Sequence, residues 1–587
     1  MTATFGLAQL ELLYKFQDAV QNKHHGAPFD LDPLYNFWSN SQPHLIQNNK
    51  NRSESAHGNT VNKQQNPKHH ICIKYADEPS RFTPVELKSI YASKDSNSGP
   101  YDPSQAGLST ASNSIYYNAT EYGYDCPAYG SDTNTLIKEG LVTLNEDCFN
   151  LNIIRPIADE NNGLLPVLLW IFGGGWTQGA TADPRYNMSY IVEQSALNGK
   201  PVLGVSINYR LAAFGFLDSE EVRAEGNTNL ALRDQRTAMR WVKKNIEAFG
   251  GDPSKITIWG ESAGAYSVGA HLVTNNGDNE GLFRAAIMDS GNAVGPPYNG
   301  TEWHQPMYDR IVERAGCTTS KNTLQCLREL PYATLYSIAN EGQEWFATVD
   351  GSFIAQYPQI SYREGKLAQV PILIGTNTDE GTSFGTTGTN TDEDCINQLT
   401  TSKRWVLDRS QATKLLSFYP DIPAIGCPYG WGNTTWPSLG LMYKRYESIA
   451  GDVTQVAPRR MLAQRMASFR DNVYSYRWDV AAFNSSTTIG VQHFAEIPFV
   501  FANPVQTITP LGSDPARLEL GQMAARMWTS FAADLDPNGH GVSDIAEWPT
   551  YSSRATNFVF RLPRKESYVE ADTYRVDGID YINSIAR

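Results

Sequence analysis

The sequence contains no apolar run approaching the roughly 18 residues that a membrane-spanning helix requires. Its longest, Leu164 to Phe172, has the length of a buried strand. Basic residues are in deficit, 48 Lys and Arg against 62 Asp and Glu, for a formal net charge of −14. An acidic chain gains nothing from releasing counterions at phosphates, so nucleic acid is not expected as a partner. The charge reads instead as solubility. Glu11, Lys15 and Asp18 interrupt Met1 to Val20, which therefore does not read as a signal peptide. Histidine is scarce, and His24, His25, His44, His57, His69 and His70 all lie in the polar stretch before residue 71. Adjacent histidines point apart on regular backbone, and no Cys or Asp cluster has ligand spacing, so neither a metal nor another cofactor is expected. There is no internal repeat.

What remains is the composition of a globular chain with a sizeable core, 41% hydrophobic and 19% charged. Residues 1–70 are polar, and 20–70 are punctuated by Pro28, Pro33, Pro43 and Pro67. They read as loop outside the core, leaving 71–587 as one catalytic domain. The seven cysteines fall into local groups. Cys317 and Cys326 could close a small polar loop, Cys126 and Cys148 bracket another, Cys395 and Cys427 could form a third pair, and Cys72 is left over. Local pairing suggests an oxidising compartment, which conflicts with the missing leader. Asn-x-Ser/Thr sites occur at Asn51, Asn118, Asn187, Asn299, Asn433 and Asn484. About six are expected by chance in a chain this rich in these residues, so they support secretion weakly.

From about residue 148 short apolar runs alternate with helical patterns. Leu164–Phe172, Pro201–Asn208, Ile256–Trp259, Ala285–Met288 and Val370–Gly375 read as strands. Ala231, Ala238, Val242, Ile246 and Phe249 recur at helical spacing over Leu230 to Phe249, and Gly250-Gly251-Asp252-Pro253 ends that helix. The alternation predicts an α/β fold, a mostly parallel sheet with helices on both faces. Residues 300–365 and 390–470 are expected above it as helical insertions that shape a site at the carboxyl ends of the strands.

Gly260-Glu261-Ser262-Ala263-Gly264 is preceded by a strand and followed by a helix, the context a nucleophile elbow requires. A serine hydroxyl needs a base, and in this arrangement an acid and then a histidine follow it in the chain. His271 lies on the elbow helix and reads as packed, and His540 sits in a turn that reads as solvated. His493, in a loop after the strand Val473–Val480, is the best base. The acid is expected after the strand ending at Gly375, where Asp379 and Glu380 are both candidates that sequence physics barely separates. Gly173-Gly174-Gly175 follows another strand, and its N–H groups, with that of Ala263, could hold an oxyanion. A nucleotide site is not indicated, because no Lys-Ser/Thr follows these glycines and there is no G-x-G-x-x-G. Trp176, Phe346 and Phe353 are candidates to line the pocket.

Taken together, the chain resembles the type-B carboxylesterase/lipase family over roughly residues 75 to 565. The matching stretches are Glu146–Asn152, Trp170–Trp176, Asn208–Leu211, Leu232–Gln235 with Trp241, Phe249–Pro253 and Trp259–Gly264. The resemblance implies an α/β-hydrolase fold, with Ser262 as nucleophile, Glu380 as acid, His493 as base, and Gly174, Gly175 and Ala263 as the oxyanion hole. It further implies disulfides Cys126–Cys148 and Cys317–Cys326, a secreted or extracellular location, a small-molecule ester substrate and no cofactor. Residues 1–70 match nothing in the family pattern, as a misplaced gene boundary would explain; N-terminal sequencing of the native protein that found Met1 would sink that idea. The Cys126–Cys148 loop is short, is interrupted by Asp132, Lys138 and Glu139, and lacks the Trp that cholinesterases use to bind choline. These features predict a carboxylesterase acting on dissolved esters. A triacylglycerol or sterol-ester lipase is the alternative within the family. A non-catalytic adhesion protein is the alternative outside that activity, and the intact triad argues against it.

Overall fold

The structure, a computed structural model, describes residues 68–88, 110–111, 114–115, 121–156, 163–340, 344–402, 405, 407–504 and 508–586. Residues 65–587 form one compact unit. Its centre is a ten-stranded sheet of β1 (Lys68–Lys74), β2 (Asn150–Arg155), β3 (Leu165–Ile171), β4 (Leu203–Ile207), β5 (Gly251–Glu261), β6 (Ala285–Asp289), β7 (Ile372–Asn377), β8 (Val473–Trp478), β9 (Thr556–Phe560) and β10 (Tyr568–Ala571). The spatial order is β1-β2-β4-β3-β5-β6-β7-β8-β9-β10. The pairs β1–β2, β2–β4 and β9–β10 are antiparallel, and every pair from β4 through β3 to β9 is parallel. Each run read as a strand from sequence is a central strand here. Central parallel strands are buried on both faces, which is why β3, β4 and β6 are almost continuously apolar.

Covering helices follow from the same logic. Helix α2 (Leu230–Asn245) turns Leu230, Ala231, Ala238, Trp241 and Val242 to the core. Its last turn tightens to a 3₁₀ segment, Ile246–Phe249, and Gly250 ends it at φ 85°. Helix α4 (Pro515–Asp534), unread in the sequence, buries Leu520, Met523, Met527, Trp528 and Phe531.

Two expectations need correction here. The segment read as loop up to residue 70 lies outside the described residues as far as 67, but β1 begins at Lys68, because Ile71 and Ile73 alternate onto a buried face. The 390–470 region is not wholly an insertion. Helix Ala457–Ala467 packs on the sheet, and its Arg459 donates to Ser475 of β8 at 2.9 Å and to Asn557 of β9 at 3.0 Å. The preceding helices Asp392–Thr401 and Arg409–Leu416 form a satellite core with α5 (Val576–Ile585) through Leu399, Leu415 and Ile579.

Candidate active site

Ser262 occupies the turn between β5 and helix α3 (Ala263–Val273), with φ 55° and ψ −123°. A β-branchless but non-glycine residue in that region is strained, and the surroundings hold it. The Ser262 N–H donates to the Asp289 carbonyl at the end of β6, at 3.0 Å. The flanking glycines are demanded by contact. A Cβ on Gly260 would fall 2.4 Å from the Gly264 carbonyl carbon, and one on Gly264 would fall 2.0 Å from the Ile171 carbonyl oxygen. The turn therefore closes only where both positions lack a side chain.

The glycine run after β3 abuts this elbow. A Cβ on Gly173 would lie 2.9 Å from Ser262 Cβ. Gly174 and Gly175 take φ 97° and 65°, the left-handed region, which turns the backbone beside the serine. Ala263 opens α3, so its N–H belongs to the unpaired first turn of a helix. The three expected oxyanion donors thus come from two backbone segments in contact.

The structure divides the two adjacent acids. Glu380 Oε2 accepts from His493 Nδ1 at 2.7 Å, and its Oε1 accepts from Ser290 Oγ at 2.5 Å and from the Asn377 N–H at 2.8 Å. Asp379 faces the other way. Its Oδ2 accepts the Val491 N–H at 2.8 Å and its Oδ1 the Tyr429 N–H at 2.8 Å, while its own N–H donates to the Val491 carbonyl at 2.9 Å. Glu380 holds the imidazole, and Asp379 holds the loop that carries it. Burial pushes the Asp379 carboxyl up to about 6, against the pull of those backbone donors.

His493 is largely enclosed. The Phe384 ring meets its imidazole edge to face at 4.7 Å, and Arg185 lies over the ring of the next residue, Phe494, at 5.2 Å. His493 Nε2 is buried without a hydrogen-bond partner among the described residues, and Glu261 Oε1 lies 3.1 Å away without the alignment of a hydrogen bond. Burial first, then the charges of Glu380 and Asp289, push Glu261 well above the carboxylate range. Glu496 is raised by burial and then by Glu261, Asp289 and Glu380. Asp289, accepting from Trp259 Nε1 at 2.6 Å and Tyr476 Oη at 2.8 Å, is raised to about 6 by burial. The His493 imidazole thus sits among carboxyls, of which Glu380 is the one bonded to it.

Ser290, Asn377, Asp289 and Glu496 were not singled out from sequence. The available signal was position: Asp289 and Asn377 end parallel strands at the carboxyl edge of the sheet, where sites form. Other expectations change. His271 is packed as expected, with Nε2 2.9 Å from Gln235 Oε1. His540, read as solvated, is buried, and its Nδ1 accepts the Val542 N–H at 3.0 Å, closing the loop on itself. Trp176, Phe346 and Phe353 belong to the main core, and Trp176 Nε1 donates to Ser267 Oγ at 2.9 Å. Their bulk packs the fold and leaves them little surface to offer a ligand.

Cys126 and Cys148 are bonded, as are Cys317 and Cys326. The third pair does not form. Cys395 is buried in the satellite core, whereas the Cys427 thiol donates to Asp379 Oδ1 at 3.6 Å; both, with Cys72, are free. The Cys126–Cys148 loop carries a short helix, α1 (Ser131–Lys138), pinned toward the glycine run. The Asp132 N–H donates to Gln178 Oε1 at 3.2 Å, and Asp132 Oδ2 meets the Arg185 guanidinium at 2.8 Å. Among the described residues no group of His, Cys, Asp and Glu could hold a metal, and no helix is long and apolar enough to cross a membrane.

Comparison with known proteins places the chain in a family. Residues 109–576 fit the family model described as the carboxylesterase family. Secreted lipase 1 of Botryotinia fuckeliana is 35% identical over 478 residues, covering 78% of this chain and 79% of that protein. Lipase 5 of Diutina rugosa is 35% identical over 460 residues, covering 74% of this chain and 78% of that protein. The crystal structure of Aspergillus niger EstA superposes with a TM-score of 0.73 at 26% identity, covering 89% of this chain and 96% of that one. With four-fifths of its length inside one family model and relatives 35% identical over about three-quarters of it, the chain belongs to the carboxylesterase family and is an ester hydrolase.

Proposed function

We propose that the chain hydrolyses carboxylic esters through an acyl-enzyme formed on Ser262. Ser262 Oγ attacks the ester carbonyl while His493 Nε2 takes its proton. Glu380 keeps the proton on Nδ1 and stabilises the imidazolium that forms. The N–H groups of Gly174, Gly175 and Ala263 receive the oxyanion. The alcohol leaves with the proton from His493, and a water activated by the same imidazole releases the acid. In the resting arrangement Nε2 lies 3.1 Å from Glu261 Oε1, and the reading requires that substrate entry align it with Ser262 Oγ. Burial and the neighbouring charges of Glu380 and Asp289 disfavour the charged form of Glu261. The observation that carries this reading is the 2.7 Å Glu380–His493 bond beside a glycine run that abuts the Ser262 elbow.

The substrate proposed is a dissolved carboxylic ester, because the α1 loop is short and tied down by Asp132. A glyceride lipase is the second reading, favoured by relatives named as lipases. An extracellular location is proposed from the two disulfides and a relative named as secreted. The test is a series of p-nitrophenyl esters of rising chain length, measured below and above their solubility limits. A burst of p-nitrophenol equal to the enzyme, with rates that peak on dissolved short esters, supports the proposal. A rate that jumps only when an emulsion appears moves the assignment to the lipase. No turnover on any ester overturns both.

A further inference from the structure

We propose that Asn433 carries an N-linked glycan whose first sugar rests on the Trp431 indole. The proposal rests on the extracellular reading above. Of the Asn-x-Ser/Thr sites on described residues, four differ sharply in what surrounds them. Asn299 is 7% exposed, and its Nδ2 is buried. A glycan on that nitrogen would prevent the chain from packing as it does. Asn187 is half-buried, and its side-chain oxygen accepts the N–H of Ser189, which already opens a helix. Asn484 is exposed, but the Ser486 hydroxyl that its acceptor motif needs lies 2.9 Å from Thr488 Oγ1. Asn433 is exposed, and its motif ends in Thr435, likewise exposed.

The second observation is the apolar ground around Asn433. Trp431, two residues earlier, is 43% exposed and belongs to the same turn, closed by the Thr434 N–H donating to the Trp431 carbonyl at 3.1 Å. Lys444 Nζ holds the Gly432 carbonyl at 3.1 Å, fixing the turn to the protein. Thr435 and Trp436 share one shallow cleft with Ile422 and Leu441, which are 49% and 61% exposed. So much apolar surface in one segment wants a cover in a soluble chain. The apolar C–H face of an N-acetylglucosamine suits an indole, whose face is negative and whose C–H partners are weakly positive. A sugar on Asn433 would lie over Trp431 and shade the neighbouring shelf.

The bond formed joins Asn433 Nδ2 to the anomeric carbon of a lipid-diphosphate-linked oligosaccharide. The carbon–oxygen bond to the diphosphate breaks, the amide nitrogen loses one proton, and the lipid diphosphate leaves. No electrons are exchanged. The test expresses the full chain behind a secretion leader in a glycosylating yeast and maps glycopeptides by mass spectrometry before and after endoglycosidase. The expected result is high occupancy at Asn433, lower at Asn484 and none at Asn299. Asn433→Gln and Thr435→Val should each remove one glycan while ester hydrolysis is unchanged. Trimming to the first sugar should keep Tm about 1–2 °C above that of Asn433→Gln, and Trp431→Ala should erase that difference. An unmodified Asn433 in the secreted chain, or a glycan on Asn299, overturns the inference whatever the native location. Recovery of the native protein inside cells would overturn the extracellular reading separately.

Discussion

The elbow bearing Ser262 and the loop bearing His493, the two halves of the proposed site, are placed by different means. The serine is placed by backbone: strand β5, a left-handed turn, helix α3, and two glycines that nothing larger can replace. The histidine is placed by side chains from elsewhere. Asp379 ties Val491 to the turn after β7, Glu380 fixes the imidazole, and Arg185 lies over Phe494. A backbone device is compact in sequence and intolerant of change. A side-chain device is dispersed and adjustable, and it fails in stages.

The comparison predicts a graded set of losses. Ser262→Ala should lower kcat by about four orders of magnitude or more with the fold intact, measured by single-turnover kinetics and circular dichroism. Glu380→Gln should follow at about three to four orders, because the imidazole loses the partner that sets its tautomer. Gly264→Ala tests the backbone half. Its new Cβ would sit 2.0 Å from the Ile171 oxygen, and overpacking of that kind costs about 1–3 kcal/mol, read as a lowered denaturation midpoint together with lost activity.

Asp379→Asn tests the side-chain half. It places an amide where two backbone donors converge, and a misplaced base costs up to about 100-fold in rate. The pH dependence distinguishes the clamp from mere stability. Burial raises the Asp379 carboxyl to about 6 in the fold, above the roughly 3.9 of an unperturbed aspartate. Between those values the folded state holds a proton that the unfolded state lacks, so this group's contribution to stability falls as pH rises toward 6 and is constant above it. The rate gap between wild type and Asp379→Asn should therefore narrow as pH falls through about 6, where both side chains are uncharged. The smallest effect on activity is expected from Cys317→Ser with Cys326→Ser. That short loop lies away from the triad's contacts, and opening it should cost about 2–3 kcal/mol of stability with kcat unchanged.

The same division explains what could be read from the sequence. The strands β3 to β7 were visible as apolar runs, and Ser262 as a strand–turn–helix pattern, because local backbone demands leave local marks. His493 was reached by excluding other histidines, and the choice between Asp379 and Glu380 required a family resemblance. Only the three-dimensional arrangement gives these two neighbours opposite tasks. Ser290 and Glu496 were invisible because they act through residues far away in the chain, Ser290 through Glu380 and Glu496 through Asn377. Cys395 and Cys427 misled for a related reason: spacing in the sequence carries no information about one thiol entering a satellite core and the other facing Asp379.

The most direct test of the site is active-site labelling. A biotinylated fluorophosphonate is reacted with the full chain, and the modified peptide is sequenced by mass spectrometry. The account predicts one label per chain on Ser262, blocked by prior incubation with an ester substrate, and labelling slowed in Glu380→Gln. A stoichiometric label on any other residue, or an active enzyme that takes none, would contradict it.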